Sequence, residues 1–208
     1  MGRPGEIPSS RQGVTWQEPS GGRLFFQRIS GTYKPPPARH EQLGMDSAGR
    51  FYLTDTAGTL KTFGSSGRLE KVEDRFNVGY ALGYSSDGRL EAVTHTMGPT
   101  LRLSYNQDQL LVGVESSDGR SVSYQYTDGL LSLVTKPGGV TESYQYNASG
   151  QLESIRDSSG QVIYVQDMVE GAVSRQRDAR GFGYSFTYTP GAIPGSGRAQ
   201  VEDPLGGR

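Results

Sequence analysis

Apolar and polar residues alternate over short stretches of the chain. Residues 121–126 read SVSYQY, so that Val, Tyr and Tyr stand at every second position between polar residues. Successive side chains of a β-strand point to opposite faces, so this pattern predicts a strand with one apolar and one polar face. A turn rich in glycine follows, and then a second short apolar stretch, which together predict a β-hairpin.

The aromatic residue near the end of such a strand recurs about every 21 residues. The aligned ring positions are Phe63, Tyr84, Tyr105, Tyr126, Tyr146 and Tyr188. The last step is two periods long, and the skipped copy would place Asp167 at the ring position. A Tyr-Gln-Tyr motif occurs twice, and we expect the rings of one copy to pack beside those of the other. These rings are Tyr124, Tyr126, Tyr144 and Tyr146.

Glycines mark both ends of the predicted hairpin. They lie either seven residues before the ring or about four residues after it, and the members assigned as structural positions are Gly67, Gly88, Gly119, Gly139 and Gly150. Residues 85–89 read SSDGR, which resembles a type I′ hairpin turn, because Gly adopts a positive φ without strain and Asp tolerates one.

The second strand of each predicted hairpin carries an apolar pair three residues apart. The pairs are Leu69 and Val72, Leu90 and Val93, Leu131 and Val134, and Leu152 and Ile155. A helix is rejected because the space between glycines is too short for one. In a regular strand, residues three apart point to opposite faces, so we expect both faces of this strand to contact apolar groups.

A 21-residue hairpin cannot bury its own aromatic face, so stacked copies must cover one another. The predicted fold is all-β, with repeated antiparallel β-hairpins of about 21 residues that form a curled open sheet and no substantial helix. Residues 45–208 are assigned to this array, truncated at its C-terminal end. Residues 1–44 are assigned to a Pro- and Gly-rich lead-in and cap that is partly irregular.

The lead-in contains the apolar residues expected to cover the first open strand, because a terminal repeat needs a cap. These residues are Trp16, Leu24, Phe25 and Phe26. Residues 31–42, GTYKPPPARHEQ, are interpreted as a stiff linker, with a polyproline ligand as the alternative.

Composition and charge narrow the range of partners. The chain has 208 residues, 30 of them Gly, and a net charge of −1. No basic surface is expected for nucleic acid, because binding a phosphate backbone requires clustered Lys and Arg. No membrane insertion is expected either, because no stretch approaches the ~20 apolar residues of a membrane helix.

Candidate chemistry is sparse. The chain has no cysteine, and its two histidines, His40 and His95, lie outside any HxH or HExxH spacing, so we expect no metal site and no cofactor. The sequence has no G-x-S-x-G motif, which is typical of serine hydrolases. Carboxylates recur at one phase of the repeat, which indicates turns or a solvated face: Glu70, Asp74, Glu91, Glu115 and Asp157. The chain is therefore expected not to be an enzyme.

The repeat resembles the Rhs repeat, also called the YD repeat. Residues 84–95, YSSDGRLEAVTH, and 146–157, YNASGQLESIRD, are close to its consensus, and residues 49–77 are similar to the segment that precedes the first full repeats. The Tyr-Asp pair that names the repeat is never adjacent here. Residues 161–178 are degenerate, and residues 189–198 replace a tight turn by a Pro- and Gly-containing loop.

The resemblance implies a hollow shell of β-hairpins. In bacterial members such a shell encloses a variable C-terminal toxin, and in teneurins it forms a cell-surface adhesion domain. We therefore expect a structural, non-enzymatic segment of a shell around the C-terminal toxin of a secreted bacterial protein, in contact with further repeats and with the toxin. The alternative is a cell-surface adhesion module that binds carbohydrate or protein.

Residues 201–208, VEDPLGGR, are similar to the opening of a further repeat. Rhs shells also end in an aspartate-dependent self-cleavage motif, which Asp203 and Pro204 resemble, although Gly207 stands where that motif has Leu. The opener is the preferred interpretation, because Pro after Asp initiates turns.

Overall fold

The computed structural model describes residues 9–10, 13–190 and 197–205. These residues contain twenty strands, one 3-10 turn at Pro137–Gly139 and no α-helix. The strands are β1 (Ser9–Ser10), β2 (Gly13–Gln17), β3 (Arg23–Ile29), β4 (Thr32–Lys34), β5 (Gln42–Met45), β6 (Phe51–Thr54), β7 (Leu60–Phe63), β8 (Leu69–Glu73), β9 (Gly79–Tyr84), β10 (Leu90–His95), β11 (Thr100–Tyr105), β12 (Leu111–Ser116), β13 (Ser121–Thr127), β14 (Leu130–Thr135), β15 (Thr141–Tyr146), β16 (Leu152–Asp157), β17 (Val162–Val169), β18 (Ala172–Asp178), β19 (Gly183–Pro190) and β20 (Gly197–Glu202).

The strands form two sheets in which sequence neighbours are hydrogen-bonded neighbours. Strands β1 to β4 form a four-stranded sheet, and β5 to β20 follow one another in a sixteen-stranded sheet. The predicted all-β fold of repeated antiparallel hairpins is confirmed. The predicted division between residues 44 and 45 falls within β5, and that division remains a prediction.

The chain divides into two compact units. The first comprises residues 1–104 and 115–119, and the second comprises residues 105–114 and 120–208. Turns of the same construction join strands in both units, and most begin with an aspartate or asparagine. At residues 46–50, one carboxylate oxygen of Asp46 accepts the N–H groups of Ala48 and Arg50, both at 2.9 Å.

The same side-chain acceptor occurs in several other turns. It is supplied by Asp55, Asp74, Asn147, Asp157 and Asp178. Two of the carboxylates singled out from the sequence, Asp74 and Asp157, are thus turn residues whose oxygens already accept backbone N–H groups. This accounts for their recurrence at one phase of the repeat.

The turn at residues 85–89 differs from the predicted type I′ geometry. Gly88 donates to the carbonyl oxygen of Ser85 at 2.9 Å and has a positive φ of 85°, whereas Asp87 does not have a positive φ. A type I turn followed by a left-handed glycine therefore closes this hairpin. Type I′ geometry occurs instead at Asp128 and Gly129, where φ is 52° and 79°. This loop is one residue shorter, which places Gly129 one position early in the repeat.

The buried core lies in the first unit, between the four-stranded sheet and the beginning of the array. Its members are Val14, Trp16, Leu24, Phe26, Tyr33, Leu43, Phe51, Leu53 and Phe63. Alternate residues of β2 and β3 reach this core, because Trp16 pairs with Leu24 and Val14 pairs with Phe26. Phe25 lies on the other face of β3 and is half exposed, so three of the four apolar residues singled out in the lead-in are buried.

The connector between the two sheets is held by ion pairs. Arg39 contacts a carboxylate oxygen of Glu18 at 2.6 Å and one of Glu41 at 2.8 Å. His40, beside it, is exposed. The segment of residues 31–42 thus contains strand β4, with Tyr33 buried in the core, followed by a loop tied to the β2–β3 hairpin through Glu18.

We predict that Phe63→Ala lowers the free energy of unfolding by about 3–5 kcal/mol, because it empties a fully buried ring position. Phe76→Ala, at a ring that is 69% exposed in a turn, should change it by less than about 0.5 kcal/mol. Urea unfolding followed by circular dichroism measures both. Equal losses for the two variants would show that the core is not where the first hairpins meet the four-stranded sheet.

Candidate functional surface: the aromatic face

The strand register places the repeated rings and their apolar partners on one face of the array, here called the aromatic face. In the first unit it comprises Phe51, Phe63, Leu69, Val72, Tyr80, Leu82, Tyr84, Leu90, Val93 and Leu101. In the second unit it comprises Tyr124, Tyr126, Leu131, Val134, Tyr144, Tyr146, Leu152, Ile155, Tyr164, Met168, Val173, Tyr184, Phe186 and Tyr188. Each unit therefore has one apolar and aromatic face.

A β-bulge explains the apolar pairs three residues apart. In β14, Leu131 pairs with Tyr126, and Val134 pairs with Tyr124, with a register shift between these two pairs. The extra residue at the shift, Ser132, brings Leu131 and Val134 to the same face. The expectation that such pairs face both sides of the strand was wrong, because it assumed a regular strand.

The same bulge recurs in both units. The extra residues are Glu70, Glu91, Ser132 and Glu153, each directly after the leading leucine of its strand. All three of these glutamates are exposed. Glu70 and Glu91, which the sequence placed on turns or a solvated face, are thus bulge residues, and Glu115 is an exposed residue of β12.

Two tyrosine hydroxyls bond to the carbonyl of the leucine that begins the preceding strand. Tyr84 donates to the carbonyl oxygen of Leu69 at 2.7 Å, and Tyr126 donates to that of Leu111 at 2.8 Å. The β8–β9 ladder begins at Lys71, two residues beyond Leu69, so the hydroxyl of Tyr84 supplies a donor where the ladder does not. Burial raises the pKa of Tyr84, in keeping with its hydroxyl remaining a donor.

The two Tyr-Gln-Tyr motifs lie on β13 and β15, with β14 between them. Val134 of β14 pairs with Tyr124 on one side and with Glu142 on the other, while Tyr144 pairs with Ile155. Burial, followed by the neighbouring Glu142 carboxylate, raises the pKa of Tyr144. Val134 of β14 therefore lies between the tyrosines of β13 and those of β15. Direct packing between the two motifs remains a prediction.

The other assigned repeat positions lie as follows. Phe63 is fully buried in the core, Tyr105 ends β11, and Tyr188 is 50% exposed on β19. The five assigned glycines all lie in turns with φ between 75° and 86°: Gly67, Gly88, Gly119, Gly139 and Gly150. Gly88 also lies against Arg68, whose guanidinium carbon is 5.0 Å from the centre of the Tyr84 ring.

The skipped ring position is occupied by Met168 and not by Asp167. The register shift of the β17–β18 hairpin falls between these residues, and Met168 pairs with Val173 as Tyr146 pairs with Leu152. The repeat that ends at Met168 is therefore one residue longer than the 21-residue spacing of the ring positions. Asp167 lies on the opposite face, where both its oxygens contact Arg177 at 2.8 Å.

A cavity of about 390 Å³ lies in the second unit beside the turn that joins β18 and β19. Its lining includes the rings of Tyr164, Phe182 and Tyr184, together with the polar residues Gln176 and Asp178. Phe182 and Tyr184 are each about half exposed, so the cavity is open to solvent. Such a mixture of aromatic surface and hydrogen-bonding groups suits a small polar ligand.

In residues 13–190 and 197–205, no group of three or more His, Asp or Glu side chains is arranged to hold a metal ion. His95 contacts the Tyr80 ring, with centroids 4.9 Å apart, and its Nδ1 accepts the N–H of Met97 at 3.1 Å. Among the described residues, no helix is long and apolar enough to span a membrane. Asp203 and Pro204 follow β20, and one Asp203 oxygen accepts the N–H of Leu205 at 2.8 Å, a turn contact. Gly206 and Gly207 of that motif lie outside the described residues.

Repeated hairpins, a bulge that recurs in several of them and an aromatic face in each unit define a β-hairpin repeat protein. The family model of the teneurin YD-shell matches residues 47–189, and the chain belongs to this family. The resemblance to the Rhs or YD-repeat family is thereby confirmed. No curated protein is similar enough in sequence to count as a relative.

The solved structures that are similar in fold include two of TcdB2-TccC3. The crystal structure of TcdB2-TccC3-Cdc42 aligns over 91% of this chain with a TM-score of 0.54 and 15% identity. That of TcdB2-TccC3 without its hypervariable C-terminal region aligns over 94% of this chain with a TM-score of 0.53 and 14% identity. This chain spans 12% of the length of either of those chains.

We predict that Tyr84→Phe lowers the free energy of unfolding by about 0.5–1.5 kcal/mol, because the carbonyl of Leu69 loses its donor. The same loss is expected for Tyr126→Phe. Tyr188→Phe is the matched control, since half of this side chain is exposed to solvent, and its effect should be close to zero. Thermal or urea unfolding of the three variants provides the measurement, and a neutral Tyr84→Phe would contradict the role given to the hydroxyl.

Proposed function

We propose that the chain is a structural, non-enzymatic segment of an Rhs or YD-repeat shell that encloses the C-terminal toxin of a secreted bacterial protein. The observation that carries the proposal is the division of each unit into an aromatic face and a polar face. Shell walls need this division, because one side contacts an enclosed polypeptide and the other contacts water.

The aromatic face retains apolar surface for a partner. Tyr80 is 51% exposed, Leu101 is 43% exposed, and Tyr184 and Tyr188 are about half exposed. Extended exposed apolar surface marks a site of interaction with another polypeptide. The opposite positions of the same strands are polar, as at Thr94 and Arg102, which flank Val93 and Leu101 in the paired strands β10 and β11.

The polar groups of the repeat support a structural role over a catalytic one. Asp74 and Asp157 accept backbone N–H groups within their turns, and the hydroxyls of Tyr84 and Tyr126 donate to backbone carbonyls. Groups engaged in this way hold the hairpins and are not free to act as acids, bases or nucleophiles. Membership of a shell family and the fold shared with TcdB2-TccC3 support the same proposal.

The partners proposed are further repeats and the enclosed toxin. Strand β20 is the last of the sheet order and pairs with β19, so its other edge can accept a further strand. One solved structure similar in fold is of TcdB2-TccC3 lacking a hypervariable C-terminal region. A variable region of that kind is the cargo proposed for the protein that contains this chain, which would then be secreted.

The test is limited proteolysis of the full-length protein that carries this chain. The C-terminal region should resist protease in the intact protein and be cleaved when expressed alone. Leu101→Lys, on the aromatic face, should increase cleavage of the C-terminal region. Thr94→Lys, on the neighbouring strand but the opposite face, should leave it protected. A C-terminal region cleaved equally fast inside and outside the intact protein would refute enclosure.

The second candidate function is a cell-surface module that binds carbohydrate, or protein, and it rests on the cavity beside the β18–β19 turn. Its rings can stack on a sugar, and the side chains of Gln176 and Asp178 can bond to hydroxyl groups. A glycan array is the test. Reproducible binding that is lost in Phe182→Ala and retained in Phe76→Ala would favour this function, whereas absence of binding would remove carbohydrate as the ligand.

A further inference from the structure

The turn at residues 95–99 begins with a histidine, whereas five turns of the same construction begin with an aspartate, at Asp46, Asp55, Asp74, Asp157 and Asp178. In the preceding turn on the same side of the sheet, one oxygen of Asp74 accepts the N–H groups of Phe76 and Val78 at 2.8 and 3.0 Å. At residues 95–99 the side-chain acceptor is Nδ1 of His95, which accepts the N–H of Met97 at 3.1 Å.

The fifth residue of the turn explains why a single acceptor suffices. Asp-opened turns present two N–H groups to the side chain, from the third and the fifth residue. Here the fifth residue is Pro99, which has no N–H. An imidazole with one lone pair therefore satisfies the turn, and that lone pair requires the neutral ring with its proton on Nε2.

We propose that the turn at residues 95–99 is a pH-sensitive element of the array. Protonation of His95 converts Nδ1 from an acceptor into a donor, so the bond to Met97 breaks. Met97, whose side chain is 75% exposed, then loses the contact that fixes its position. Two backbone hydrogen bonds keep the turn closed. The N–H of His95 donates to the carbonyl oxygen of Pro99 at 2.8 Å, and the N–H of Gly98 donates to the carbonyl oxygen of His95 at 2.9 Å.

The surroundings of His95 contain no group that replaces the lost bond. Tyr80, directly paired on β9, presents its ring to the imidazole. The charged residues of the adjacent strands occupy the other face or the neighbouring turn: Lys71, Glu73 and Asp74 on the β8 side, Glu91 on β10 and Arg102 on β11. Lys71 and Glu73 pair with each other at 2.7 Å, and Asp74 bonds within its own turn. In the described part of the chain, no carboxylate lies within ion-pair distance of His95.

The sign of the pH dependence follows from the protonation states. The Met97 bond is present while the imidazole is neutral and is lost when the ring is protonated, so the bond weakens as the pH falls. The turn opened by Asp46 keeps its side-chain bonds in mild acid. The N–H of Arg50 is the largest of several contacts that lower the pKa of Asp46 to about 2. Mild acid therefore removes the side-chain bond of the turn at residues 95–99, while its backbone bonds and the Asp46 turn persist.

The experiment is amide hydrogen exchange of this chain by NMR at pH 7.5 and 5.0, with each rate divided by the intrinsic rate at that pH. Protection of the Met97 amide should fall about three- to tenfold at pH 5.0, the effect of losing one hydrogen bond. The Phe76 amide, bonded to Asp74, serves as the internal control and should keep its protection.

His95→Asn supplies the matched variant, because its side-chain oxygen can accept the same N–H and does not titrate. Its Met97 amide should be protected equally at both pH values. The proposal is overturned if Met97 protection in the unmodified chain is independent of pH, if it falls together with that of Phe76, or if it falls as much in His95→Asn. The first two outcomes are read from the unmodified chain alone and hold even if the variant is unstable.

Discussion

A one-residue bulge in the second strand of the hairpin determines which side chains share a face. Without it, Leu131 and Val134 would point in opposite directions, and one of them would leave the tyrosines for water. With it, both pair with the rings of β13, and the extra residue is exposed where it is a glutamate. The aromatic face shared by β13 and β14 and the polar face opposite it depend on this local irregularity.

The hydroxyl contact gives a physical reason for tyrosine in the repeat. A phenylalanine at position 84 could fill the same space, but it could not bond to the carbonyl of Leu69 beyond the end of the β8–β9 ladder. At position 63, by contrast, the ring is enclosed by the four-stranded sheet, and phenylalanine occurs there. Phenylalanine thus occurs where the ring lies in a closed core, and tyrosine occurs where the ring lies at a partly exposed end of the sheet.

The sequence was informative about periods and poor at detecting single-residue irregularities. Alternation predicted the strands, and the 21-residue spacing predicted the hairpin array, because both patterns repeat many times. A bulge leaves alternation almost unchanged, so the Leu-x-x-Val spacing was misinterpreted and Asp167 was assigned the place of Met168. At residues 85–89 the sequence likewise did not show that the loop is one residue longer than at Asp128 and Gly129, so the type I′ turn predicted there was wrong. The lead-in was separated from the array, but its four-stranded sheet escaped notice because strands β2 to β4 do not share the repeat.

The central claim is that the bulge holds the leucine and the valine of the second strand on the aromatic face, and paired cysteines test it most directly. The chain has no cysteine, so any disulfide reports on the introduced pair. Tyr126→Cys with Leu131→Cys should oxidise to a disulfide, because these residues are directly opposed. Tyr126→Cys with Ser132→Cys should remain reduced under the same conditions. The reverse result would mean that β14 is a regular strand, and the aromatic face as described would not exist.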